Sequence, residues 1–210
     1  VIGTRPRPPE DLLGAEGALT GRPFRPAPEL AAWAHATFIA EDAPLLNEEH
    51  EHLRDAAIGF VWTSTGNARH GNTVVGQAEM TTFQGGRWSK GRQIQQLCEW
   101  FGELPDFLVT IDAGYADQAS DAAFCSLVEH ELLHCGQERD GFGAPKFRRD
   151  GSPAFALRGH DVEEFVSIVV RYGVGAAAGR TADLVRAAAQ APLIGADELR
   201  GACGTCGGRL

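Results

Sequence analysis

Hydrophobic and polar positions along the chain fall into short periodic blocks separated by Gly- and Pro-rich stretches. Leu30, Trp33, Ala34 and Phe38 recur at helical spacing after Pro28-Glu29, which predicts a helix through Ile39. Asn47-Glu48-Glu49 supplies a cap and an acidic first turn for a second helix through Ala57. Residues 59–64 (GFVWTS) and 73–83 (TVVGQAEMTTF) read as strands, with Gly66, Asn67 and Gly71 turning the chain between them. Ile94, Leu97, Cys98 and Phe101 favour a helix over 91–101, ended by Pro105, and the β-branched run at 107–111 (FLVTI) predicts another strand. Asp117 or Ser120 caps a helix running to about Glu138. A 25-residue stretch, 135–159, then precedes helices at about 161–172 and 182–190. A connection that long inside a compact domain is more often functional than idle.

Helices and strands alternating in this way give an α+β fold. The chain divides into a Pro-rich N-terminal arm at 1–28, expected to be disordered or draped on a partner, a domain at 29–195 and a C-terminal tail at 196–210. The 210 residues suffice for one sizeable core. No apolar run reaches the roughly 18 residues of a membrane span, and no signal peptide is visible after Val1, which is not an initiator methionine. A net charge of −9 argues against a general nucleic-acid surface. Five cysteines, an odd and sparse number, fit a reducing compartment better than a disulfide-stapled domain.

The chemistry concentrates in His130-Glu131-Leu132-Leu133-His134. Residues four apart on a helix point the same way, so the two imidazoles can grip one zinc ion. Glu131 lies about 100° around the helix, beside the metal, placed to accept a proton from water. Phe124, Cys125, Val128, Leu132 and Cys135 form a core-facing stripe on the opposite side, where the two cysteines act as small buried hydrophobes. A catalytic zinc site needs a third protein ligand. His160, preceded by Gly159, is the leading candidate. Glu163, Glu164 and Asp140 are alternatives, Glu164 being equally well explained by a capping box with Asp161. The extended pattern H-E-x-x-H-x-x-G-x-x-H is absent, with Gln137 at the glycine position and Asp140 at the last histidine. Cys203-x-x-Cys206 has the shape of half a zinc knuckle, a possible second zinc site. His50-Glu51-His52 reads as surface or cap residues, with lining of the cleft as the alternative. Lys146, Arg148, Arg149 and Arg158 make the long connection basic, suited to a solvated loop or to an acidic partner, and Tyr115 or Tyr172 are candidates to steady a tetrahedral intermediate.

The run from Val128 to Gly173, together with NEEHEHL, IGFVWTS and VVGQAEM upstream, resembles the phage metallopeptidase family over residues 47–173. The resemblance implies a phage or prophage origin, a zincin-like α+β domain and zinc-dependent peptide hydrolysis. It implies a protein or peptide substrate of phage or host origin, and action in the bacterial cytoplasm or on the virion. A more distant similarity links Gly159-His160 to the G-H-G-x-x-F motif of SprT-like proteases and favours His160 as the third ligand; here Asp161 replaces the second glycine and Phe165 comes one residue late. Two other classes fit the same residues: a zinc-stabilised phage structural or assembly protein without turnover, whose arm wraps neighbours, and a regulatory protein acting on a host target.

Overall fold

The computed structural model describes residues 4–13, 21–162, 169–170 and 180–203, the last four by backbone alone. By contact density the chain forms two compact units, one of residues 1–158 with 196–210, the other of residues 159–195.

The larger unit is built on a four-stranded sheet. Its strands are β1 (Phe24–Pro26), β2 (Ile58–Thr63), β5 (Gly76–Met80) and β6 (Phe107–Asp112), in the order β1-β2-β6-β5. β2 and β6 run parallel, while β1 and β5 pair antiparallel at the two ends. Phe107, Val109 and Ile111 alternate inward along β6. The single strand expected over 73–83 is divided in two. β3 (Asn67–Arg69) and β4 (Asn72–Val74) make a separate hairpin, and β5 starts after Val75. His70 (φ 51°) and Gly71 (φ 80°) turn that hairpin, both left-handed, as a two-residue loop matching strand twist requires.

The helices follow the sequence with shifted ends. α1 (Pro28–Ala34) widens into a π-helical turn over His35–Ile39, and the predicted second helix is a 3-10 helix, Glu48–Asp55, with the Asn47 side chain accepting from the Glu49 N–H. α2 (Arg87–Phe101) starts four residues earlier than predicted. It ends at Gly102 (φ 84°), whose N–H caps Cys98 O, before Pro105 is reached. A short α3 (Ala113–Gln118) precedes α4 (Asp121–His134). Ser120 is the cap of α4, its hydroxyl accepting from Ala123 N–H. α4 stops at His134, four residues short of the expected Glu138, because Cys135–Gln137 turns into β7 and pairs with β8 (Phe155–Leu157). The long connection is therefore ordered: β7 and β8 pair at its ends, and bridges Arg139–Pro145 and Phe147–Pro153 close two turns within it. α6 (Ala196–Cys203) lies against α4.

The core joins these elements. Trp33 packs on Phe38 and Phe124, and Trp62 stacks on Phe124 at 6.1 Å, so the buried stripe of α4 meets α1 and β2. Parts of residues 1–28 belong to this core. Leu12 is buried, and Arg5, 3 % exposed, sits 4.7 Å over the Phe124 ring and pairs with Asp121 at 2.7 Å. The same guanidinium donates to the carbonyls of Ala116 and Ala119. One arm residue thus ties the end of α3 to the first turn of α4. In the smaller unit, α5 (Thr181–Ala188) matches the expected helix at 182–190, and Arg180 pairs with Asp161 at 2.6 Å. Of the helix expected at 161–172, residues 163–168 and 171–172 lie outside the described residues; Ile168's neighbour Val169 and Val170 are helical. No described helix is long and apolar enough to cross a membrane.

Candidate metal centre

α4 carries the site in its last turns. Phe124, Cys125, Val128 and Leu132 are buried on one side, and the opposite side presents His130, exposed, and His134, half-buried. Their Nε2 atoms are 3.2 Å apart with ring centroids at 4.9 Å. Two nitrogen ligands at about 2.05 Å from a tetrahedral zinc lie about 3.3 Å from one another, so the pair is already at chelating distance.

The second ring nitrogen of His134 fixes its orientation. Nδ1 lies 2.7 Å from the carbonyl oxygen of Arg158. A carbonyl only accepts, so Nδ1 carries the proton and Nε2 keeps its lone pair for a metal. Local pairing builds this contact: Arg158 N–H donates to His134 O, extending the β7–β8 ladder onto the end of α4. The Arg158 guanidinium pairs with Glu49 on the 3-10 helix.

The ligand atoms of His130, His134 and His160 all lie within 4.8 Å of one another. Three imidazoles are a donor set suited to zinc.

Glu131 is 4 % exposed and lies on the flank of the helix that faces β5. Burial raises its pKa above the usual carboxylate range, while the His134 imidazole and a backbone hydrogen bond from Ala78 pull it back down. A carboxylate held this way is suited to taking up and returning a proton. Behind it, burial and the neighbouring Glu131 charge push the Cys135 thiol up to about 12, so it stays protonated and inert, as does its role as a small buried hydrophobe require.

The other candidate residues are placed as follows. Asp140 is exposed in the first turn between β7 and β8, where its carboxylate accepts from Phe142 and Ala144 N–H and closes the turn. It is not part of the histidine cluster. Glu163, Glu164, Tyr172 and Cys206 lie outside the described residues, and Cys203 is described only as the last residue of α6. Tyr115 sits on α3, ahead of the N-terminal end of α4, whereas the histidines occupy its C-terminal turns. The basic connection is largely neutralised within the chain. Lys146 pairs with Glu138 at 2.5 Å, and Arg148 lies 3.8 Å from Asp106 and 5.3 Å over the Phe155 ring.

The surface reading of His50 is corrected, and His52 takes the alternative place, lining a cleft. His50 is 1 % exposed, and His52 Nε2 lies 2.8 Å from Cys135 O, bracing the residue that ends α4. His52 also lines a cavity of about 470 Å³ with Glu49, Leu133 and Arg158. A helical wheel could have flagged His50 only with knowledge of what packs against the 3-10 helix.

A family model described as "Putative phage metallopeptidase" matches residues 31–189, three quarters of the chain. The chain belongs to this family. As a phage metallopeptidase, it combines the α+β fold, the HExxH helix and the histidine cluster of a zinc metallopeptidase. No curated protein and no solved structure matches it.

Proposed function

We propose that this phage metallopeptidase hydrolyses peptide bonds with one zinc ion held by His130, His134 and His160, and with Glu131 as general base. The observation that carries the reading is the pair of Nε2 atoms 3.2 Å apart, one of them freed for metal by the Arg158 carbonyl, with a buried carboxylate next in sequence. Zinc at that position supplies Lewis acidity toward a water molecule and a peptide carbonyl. His130, His134 and His160 hold it. Glu131 takes a proton from the attacking water and returns it to the departing amine. β5 ends the sheet beside Glu131, so an extended peptide added to this edge would bring its carbonyls alongside the carboxylate.

The substrate in this reading is a phage or host protein, met in the bacterial cytoplasm or at the virion; the family's phage context supports it. The runner-up is a zinc-stabilised assembly protein without turnover. Glu131→Gln separates the two. It preserves side-chain shape and removes the proton acceptor, so a peptidase keeps about one zinc per chain and loses about 10²–10⁴ in cleavage rate. Phage carrying Glu131→Gln that assemble and grow as wild type, with no cleavage product distinguishing the two proteomes, would withdraw the peptidase reading in favour of structural zinc.

A further inference from the structure

Gly76 opens β5 as a regular member of the ladder, paired with Ile111. Its φ is not in the left-handed region, so its backbone is one that any L-residue adopts. Glycine weakens a strand interior, and its presence there often marks a close approach by another group. Here the approaching group is the Glu131 side chain. A Cβ at residue 76 would stand 2.6 Å from Glu131 Oε1, 3.1 Å from its Cδ and 2.8 Å from Leu127 Cδ1. The carboxylate occupies the volume a side chain would fill.

The same strand supplies the other half of the seat. Asp112 N–H donates to Val75 O, and Thr81 N–H donates to Asp106 O. The odd-numbered positions of this antiparallel pair therefore exchange ladder hydrogen bonds, and the even-numbered N–H groups point away from β6 toward the sheet edge. Ala78 is one of these, and its outward N–H is the backbone group whose approach draws the Glu131 pKa down. We infer that Gly76 is a positioning residue for the catalytic base: its missing side chain admits the Glu131 carboxylate to the edge of β5, beside the Ala78 N–H.

This inference rests on Glu131 being the base, and the two fail separately. Gly76→Ala leaves the three histidines untouched. Both groups it meets are the far ends of side chains able to swing aside, so the domain folds and keeps one zinc per chain, with the carboxylate displaced from Ala78. In 1H–15N spectra of the metal-free protein, the Ala78 amide resonance of Gly76→Ala should move toward its position in Glu131→Ala, and its hydrogen exchange should accelerate. Adding Gly76→Ala to Glu131→Ala should then change the Ala78 amide no further. In the zinc-loaded enzyme, a displacement of about 1 Å should lower kcat by about 10²-fold with KM within about twofold. Should Gly76→Ala alone fold poorly, Gly76→Ala with Leu127→Ala removes the second contact and is read against Leu127→Ala. An unmoved Ala78 amide in Gly76→Ala, or a shift of equal size in the Glu131→Ala background, overturns the inference. Wild-type cleavage by Glu131→Gln instead refutes the general base, and leaves the Ala78 result to decide the seat.

Discussion

Stability should fall on mild acidification because of His50. The side chain is 1 % exposed, and neither ring nitrogen has a hydrogen-bond partner among the described residues. Burial, then the neighbouring His52, and finally Arg158 lower its pKa from 6.5 to about 4, against a smaller opposing pull from Glu49. The folded state therefore takes up this proton only near pH 4, whereas the unfolded chain takes it up near 6.5. Between those values the unfolded state binds more protons, so stability is full above about pH 6.5 and is lost as pH falls toward 4. At about 1.4 kcal/mol per pH unit the whole loss is about 3 kcal/mol, and about 2 kcal/mol of it falls between pH 7 and pH 5. The measurement is urea unfolding of metal-free protein across this range, for wild type and His50→Leu. Leucine fills a similar volume and does not titrate, and the metal-binding histidines are common to both proteins. The wild-type curve should drop by about 2 kcal/mol more than that of His50→Leu. Parallel curves for the two proteins would refute the argument.

Three further outcomes follow from the site and its supports. Purified protein should carry about one zinc per chain, and chelation should lower its melting temperature reversibly; failure to take up stoichiometric zinc would end the metallopeptidase reading. His160→Ala should weaken zinc binding much more than Glu164→Ala, measured by competition with a chromophoric chelator; the opposite order would assign the third ligand to the carboxylate. Arg5→Ala removes the buried guanidinium that pairs with Asp121 at 2.7 Å, and should cost about 3–5 kcal/mol in chemical denaturation; a loss below about 1 kcal/mol would show that the arm does not anchor α4.

The sequence determined what is local. Residues 130 and 134 share a helix face by the geometry of the backbone alone, so the chelating pair and its flanking carboxylate are legible without a fold. The apolar stripe at Phe124, Cys125, Val128, Leu132 and Cys135 is legible for the same reason, as are the strands at 58–63 and 107–112, where apolar β-branched runs leave little choice. Tertiary structure decided whatever depends on a partner distant in the chain. Arg5 reads as part of a free arm until Asp121 and Phe124 are brought against it, 116 or more residues away. His50 looks like a surface residue because a 3-10 helix rich in charge hides which side is covered. The strand expected over 73–83 splits because residues 72–74 pair with 67–69 in a hairpin of their own while residues 76–80 pair with β6, a division set by partners outside the run. α4 ends at His134 because Arg158, 24 residues on, pairs with its last carbonyl and orients its imidazole. Helical periodicity thus pairs His130 with His134, but only a long-range contact, His134 Nδ1 to the Arg158 carbonyl, selects the tautomer.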